Sequence, residues 1–348
     1  MLTCRWCGSP LDDDCDFAPI LDGHSAVWCP DCDGLTFVDP GKDTRRMLLF
    51  LENRSSSVPK DSVPYVAPPS SGLRKRLSPL RYPGGKSKVI DQIYAALLPE
   101  KMDTFVELFA GGASLGLSLL DAGKINRLVL NDLDAAVFVF WDVITTNSED
   151  FASYILRMEP PTREDFFKAQ EFLEILRENG PSILSGVDDA VAAATAFLVV
   201  NRLSFGGIQM AKPLGGKNGS MDSLLSRWNP KVLSARIRHI GSMSDKIVVR
   251  SCDASDFLAR EIGWLPENTT IFVDPPYVGV GKKLYPLGFE KEHKELASTL
   301  NEFFACYPGP DIIITYDECQ EVRQLYPFAE VRMLSTSYSI VQMTGGAR

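Results

Sequence analysis

The sequence predicts an α/β protein built on a largely parallel sheet, and three observations carry that expectation. Short β-type runs at 104–108, 128–130, 247–250, 271–273 and 312–315 alternate with segments of helical periodicity, the order that a crossover-connected sheet requires. The first run leads into Ala110-Gly111-Gly112-Ala113, a glycine turn opening a helix that runs through Leu120. The run Thr270-Ile271-Phe272-Val273 ends in Asp274-Pro275-Pro276-Tyr277. That tetrapeptide puts an acceptor carboxylate, two residues without N–H donors and an aromatic face at the carboxyl end of a strand, the edge where open α/β sheets place their ligands.

The chain opens on a cysteine- and aspartate-rich head, residues 1–52. Cys4-x2-Cys7 and Cys29-x2-Cys32, with 21 residues between the pairs, fit a tetrahedral zinc ion and a small zinc-ribbon fold that has no core without its metal. Cys15 and His24 are substitute candidates, each read more simply as a non-ligand. Four thiolates leave no open position, so this Zn2+ is expected to be structural. The head is open to three readings, a DNA contact, a docking module for a protein partner, or no binding role, and its run Asp12-Asp13-Asp14 disfavours direct phosphate contact. Paired CxxC spacing of four of the eight cysteines points to a reducing compartment rather than a disulfide framework. Residues 53–76, rich in Pro and Ser and poor in large apolar side chains, read as a flexible linker.

Residues 77–348 form the large domain. From 135 to 200 the periodicity is mostly helical: Phe166, Phe167, Phe172, Leu173 and Leu176 are assigned to one face, and 190–200 to a buried helix. Gly, Pro, Asn and Ser make 205–220 a long loop, and a last helical stretch covers 293–304. The longest apolar stretch, 190–200, is too short to span a bilayer, and the first residues have no signal-peptide layout. A cytoplasmic protein without a membrane partner is the expectation.

Net charge −9 argues weakly against a nucleic-acid partner, but its distribution argues the other way. Residues 201–240 hold seven basic side chains and one acid, Asp222, a segregation that can bind a polyanion locally. Within it Arg202, Lys212, Lys217 and Arg227 lie on or beside the Gly-rich loop and are the candidate DNA contacts, positioning phosphate more than reading bases.

Glycines in the 110–113 turn let backbone approach a ligand and leave helix N-terminal amides pointing at it. Asp132 follows Gly111 by 21 residues at the end of the next strand, a spacing at which an acid accepts from ribose hydroxyls. Together they suggest a nucleoside-containing cofactor, and the missing G-x-G-x-x-G spacing disfavours NAD. Tyr82-Pro83-Gly84-Gly85-Lys86 reads either as a surface turn or as a closure over a ligand carboxylate. Asp253, alone, reads as a helix N-cap.

Taken in order, Tyr82–Lys86, Phe105–Gly112, Asn131-Asp132, Asn201-Arg202-x-Ser204-Phe205-x-Gly207, Asp253, Asp274–Tyr277 and Tyr316-Asp317 resemble the Dam-like class of DNA adenine-N6 methyltransferases over residues 78–344. The resemblance implies a Rossmann-like, S-adenosylmethionine-dependent fold with a mostly helical target-recognition insertion at about 140–240. It implies that Tyr82, Lys86, Glu107, Ala110, Gly111, Asp132 and Asp253 surround S-adenosyl-L-methionine, that Asp274, Pro275 and Tyr277 hold the adenine, and that double-stranded DNA is the partner. It also implies a final apolar strand beyond Gly345-Gly346, which the 348 residues do not contain.

The chemistry of adenine agrees with this set. The N6 lone pair is delocalised into the ring, so acceptors that draw its hydrogens and a stacked aromatic face are what a transfer site must supply. A base inside a duplex cannot reach such a pocket without flipping. Three alternatives remain at this point: an RNA adenine, a protein amide, or a binding module that has lost catalysis. Amide methylation usually goes with Asn in the first place of the tetrapeptide, so Asp274 favours adenine.

Overall fold

The computed structural model describes residues 72–73, 76–82, 86–97, 102–216, 218–261, 265–266, 268–276, 292–306, 311–317, 319–327 and 329–336, together with the backbone of the strands within 1–51. Early in the chain come β1 (Leu2–Thr3), β2 (Pro10–Leu11), β3 (Phe17–Ile20), β4 (His24–Trp28), β5 (Leu35–Phe37) and β6 (Thr44–Leu51). β1 and β2 pair antiparallel, and β3, β4 and β5 form an antiparallel three-stranded sheet. Cys4, Cys7, Cys15, Cys29 and Cys32 lie outside the described residues.

The main sheet adds β7 (Thr104–Glu107), β8 (Arg127–Asn131), β9 (Ile247–Arg250), β10 (Thr269–Val273), β11 (Asp311–Asp317) and β12 (Glu330–Thr336). Its order is β12-β6-β11-β10-β7-β8-β9, and the five strands from β11 to β9 are mutually parallel. Alternation along each strand sorts side chains to two buried faces. Phe105, Leu128, Leu130, Phe272 and Ile313 pack in one core, and Val106, Val129, Ile271, Val273, Ile312 and Ile314 in the other. Burial on both faces explains why these strands read as continuous apolar runs rather than alternating ones.

The first face is covered by α1 (Ile90–Ala96), α2 (Ser114–Asp121) and a helical block between β8 and β9: α3 (Ala135–Thr146), α4 (Ser148–Arg157), α5 (Arg163–Asn179), α6 (Val187–Leu203), α7 (Met221–Leu225) and α8 (Pro230–Gly241). Local chemistry sets these ends. Thr162 and Asp165 close a capping box on α5, and Asn229 caps α8 ahead of Pro230 at its first turn. Asp134, buried, caps α3 and is bridged by the half-buried Arg177 of α5 at 3.0 Å. The other face carries α9 (Ala254–Glu261), α10 (Glu292–Cys306) and α11 (Gln320–Leu325).

One side chain departs from the expected helical face. Phe166, Leu173 and Leu176 are buried in α5, but Phe167 is 44% exposed. Adjacent helical residues are separated by about 100°, and with Phe166 turned to the core its neighbour Phe167 falls at the solvent edge of the stripe.

The antiparallel side of the main sheet takes in a strand from the start of the sequence. Thr44–Leu51, read from sequence as part of the head, runs antiparallel between β11 and β12, with Leu48 opposite Thr315 and Leu49 opposite Ile314 and Val331. A strand from before the linker thus joins β11 and β12 within the main sheet. Removing residues 1–52 would leave β11 with an unpaired edge, so that form should melt several degrees lower and aggregate. A form lacking only residues 1–43 should keep the parent midpoint. Thermal melts followed by circular dichroism distinguish the two, and equal midpoints for both forms would show that β6 does not brace the sheet.

Candidate active site

The alternation that sorts the core also gathers the polar groups. Glu107, Asp132, Asp274 and Thr315 each stand two positions beyond a first-face residue (Phe105, Leu130, Phe272, Ile313), at the carboxyl ends of β7, β8, β10 and β11. Four adjacent parallel strands thereby deliver polar side chains to one rim and one face. Asn131 ties the rim together: its amide donates to the carbonyls of Leu108 (3.1 Å) and Cys252 (3.0 Å), and its oxygen accepts from the Cys252 N–H (3.2 Å).

Asp274 is held at both carboxylate oxygens. The ammonium of Lys86, a side chain 3% exposed, pairs with Oδ2. The hydroxyl of Thr315 donates to Oδ1 at 2.6 Å. Lys86 starts a short 3-10 turn, Lys86–Lys88, that leads into α1. Pro275 is buried and Pro276 half-buried beyond the strand end. Tyr277, expected to stack on the base, and Pro83, Gly84 and Gly85 of the preceding turn lie outside the described residues.

Glu107 is buried and accepts from the Gly116 N–H at 2.6 Å. Burial pushes its carboxyl up to about 8; the Gly116 N–H opposes that shift, the Asp274 charge adds to it and Lys86 opposes it. Asp132 accepts from the N–H groups of Gly111 (2.8 Å) and Asp134 (3.0 Å). Burial and then the neighbouring Asp134 push it up to about 7, against the two N–H donors and Arg177.

The glycine turn works differently from the sequence expectation. Its Gly111 amide, and that of Gly116 in the first turn of α2, point at protein carboxylates rather than standing ready for a ligand anion. A phosphate placed there would meet Glu107 and Asp132, whereas a cationic or hydroxyl-bearing ligand would find their remaining lone pairs. Gly111 has a left-handed φ of +43°, and an added Cβ would sit 2.7 Å from the Tyr82 ring. Tyr82 therefore lies directly over the turn, and Trp141 holds it from below by donating Nε1–H to the Gly111 carbonyl at 2.9 Å. Ala110 is buried, and its N–H donates to the Asn131 carbonyl at 2.8 Å. Asp253 caps α9, its Oδ1 accepting from the Ser255 N–H at 2.7 Å, the role read for it in isolation.

The Asn201–Gly207 motif is a clasp on the segment before Lys86. The Asn201 side chain, fully buried, accepts from the Arg81 N–H (2.8 Å) and donates to the Arg81 carbonyl (2.7 Å). At Gly207, with φ +82°, a Cβ would fall 1.9 Å from that same carbonyl. No other residue type fits so close a crossing. The helical block is thus fastened to the strand rim through Arg81 and Tyr82.

Of the candidate DNA contacts, Arg202 donates Nε–H and Nη2–H to the Arg227 carbonyl at 2.9 and 2.6 Å and braces the loop. Burial, then Arg81, Arg236 and Arg227, lower it to about 10. Arg227 donates to the Ser204 carbonyl at 3.4 Å and lies 5.9 Å over the Phe205 ring. Lys212 is half-buried on the loop, and Lys217 lies outside the described residues. The structure adds exposed Arg76 and Arg81 to this basic side, residues the charge count of 201–240 did not reach.

Among the described residues, no group of three or more His, Cys, Asp and Glu side chains could hold a metal, and no helix is long and apolar enough to cross a membrane.

Glu107 and Asp132 both titrate higher in the folded protein than their ordinary 4.5 and 3.8. Folding therefore favours their protonated forms. Their contribution is fully present at low pH and is lost as pH rises through about 7 and 8. Glu107→Gln removes one of the two titrations, so without added ligand its melting temperature should fall less than the parent's between about pH 5 and pH 8. Parallel pH curves for the two proteins would argue against a buried protonated Glu107.

Comparison with known proteins adds to this geometry. The family model described as D12 class N6 adenine-specific DNA methyltransferase matches residues 82–340. The DNA adenine methylase of Vibrio cholerae serotype O1 is 21% identical over 279 residues, 79% of this chain and 93% of that protein. The type II methyltransferase M.FokI of Planomicrobium okeanokoites is 26% identical over 207 residues, 58% of this chain but 29% of its own length. The modification methylase StsI of Streptococcus sanguinis is 33% identical over 88 residues, 25% of this chain and 12% of that protein.

Proposed function

Because the chain belongs to the D12 class of N6 adenine-specific DNA methyltransferases, we propose that it moves a methyl group from S-adenosyl-L-methionine to N6 of an adenine flipped from double-stranded DNA, with Asp274 as the acceptor of the N6 hydrogens. The observation that carries this reading is the Asp274 carboxylate at the end of β10, held at both oxygens within a rim of acids.

Those acids fit the donor. Glu107 and Asp132 accept from the amides of α2 and the glycine turn, and Asp253 caps α9 after β9; their remaining lone pairs suit a ligand carrying a sulfonium, an ammonium and ribose hydroxyls. Tyr82 and Trp141 clamp the turn from two sides, and Ala110 and Gly111 supply small-residue backbone there. S-adenosyl-L-methionine, when bound, supplies an activated methyl group whose transfer to N6 leaves a thioether and one proton to be lost.

The remaining work belongs to the protein. Asp274 and the Pro275 carbonyl accept from N6–H and pull that nitrogen toward a tetrahedral geometry, restoring the lone pair that the ring withdraws. Tyr277, following the two prolines, stacks on the base. Placement and fixed polar groups supply the acceleration. Lys86 holds the Asp274 carboxylate in place in the absence of substrate. Extruding the base costs a few kcal/mol, offset by this pocket and by cationic contacts to the backbone from Lys212, Lys217 and Arg227, with Arg202 bracing their loop.

Zn2+ bound by Cys4, Cys7, Cys29 and Cys32 remains part of the proposal, supported by their spacing, with the head as a docking module for a protein partner.

Asp274→Ala should abolish transfer of label from S-adenosyl-L-methionine to unmethylated DNA while calorimetric cofactor affinity stays within severalfold; near-normal turnover would refute the assignment. Neutralising Lys212 and Lys217 together should weaken DNA binding and flatten its dependence on salt. An unchanged salt slope in a filter-binding titration would place the phosphate contacts elsewhere.

A further inference from the structure

We infer that Thr315 is a positioning residue for methyl transfer: its hydroxyl fixes the rotation of the Asp274 carboxylate that receives the adenine amine. The inference rests on Asp274 being that acceptor.

Val273 of β10 pairs with Ile314 of β11, so Asp274 and Thr315 are the next residues along two neighbouring parallel strands. Both stand at the alternate positions that face the first core. Thr315 is fully buried, and its hydroxyl donates to Asp274 Oδ1 at 2.6 Å. An aspartate carboxylate rotates about a broad, roughly two-fold torsion. A donor on each oxygen is what fixes that rotation, and here the donors are Lys86 and Thr315.

The two donors are not equivalent. Lys86 reaches Asp274 through a long flexible stem from a turn outside the sheet, and its charge competes with the substrate for the same carboxylate. Thr315 is β-branched and stiff about χ1, is built into the ladder between β10 and β6, and is neutral. It can orient Oδ1 without opposing the positive charge that develops on N6 as the bond to carbon forms. A carboxylate oxygen has room for more than one donor, so the Thr315 hydroxyl occupies one direction and leaves another for N6–H. Thr315 does not touch the base in this arrangement; it acts through Asp274.

The test compares Thr315→Val, which keeps shape and removes the hydroxyl, with Thr315→Ser, which keeps the hydroxyl, in the full-length protein. Losing a hydrogen bond to an ionised partner corresponds to about ten- to a hundredfold. Thr315→Val should therefore lower kcat by roughly that factor while KM for S-adenosyl-L-methionine and for DNA stays within threefold, and Thr315→Ser should recover most of the loss. Asp274→Ala is assayed beside them. An inactive Asp274→Ala with a fully active Thr315→Val overturns this inference alone. Loss of cofactor affinity in Thr315→Val without rescue by Thr315→Ser also overturns it, because that pattern marks a packing role. An active Asp274→Ala overturns the reading beneath it.

Discussion

A carboxylate held at both oxygens at the end of a buried strand is the constraint that organises this protein. Taking the Lys86 ammonium out of water is costly unless an opposite charge meets it, and the opposite charge is Asp274. That pairing fixes where the 3-10 turn before α1 can sit, and with it the preceding Arg81-Tyr82 segment over the glycine turn. Glu107 lies close enough for its own carboxyl to respond to both partners, and it is held largely protonated at neutral pH.

The helical block is fastened to this rim rather than merely adjacent to it. Asn201 and Gly207 grip the Arg81 backbone, and Arg177 grips Asp134, two residues beyond Asp132. Both fasteners run from the block that bears the basic loop to residues flanking the proposed cofactor cleft. A displacement of α5 or α6 would therefore be felt at Tyr82 and at the end of β8, which gives the block a mechanical route to the chemistry.

Much of the site was legible because its signals are local. A strand ending in Asp-Pro-Pro, a strand ending in glycines and an acid after the next strand are each visible within a few residues, and the structure brings Glu107, Asp132 and Asp274 to one rim. What was not legible depends on partners distant in sequence. Thr315 reads as an ordinary β-branched strand residue, and nothing near it announces a hydrogen bond to Asp274. Arg202 reads as a phosphate contact from its charge, but its geometry shows a brace on the Arg227 carbonyl. The amides of Gly111 and Gly116 read as ligand donors until the carboxylates that take them are seen. Thr44–Leu51 reads as part of the cysteine- and aspartate-rich head, whereas its pairing is with β11 and β12, far along the sequence.

That pairing has a consequence for how the molecule comes into being. β6 precedes every other strand of the main sheet in the sequence, while both of its neighbours follow β10, so its edges find their partners only through contacts of very long sequence separation. Contacts of such long sequence separation slow folding and prolong exposure of the unpaired edge. Thr315 lies opposite Leu48 in one of these ladders, so the seating of that rim residue depends on a contact distant in sequence rather than on the local strand-to-helix turns around it.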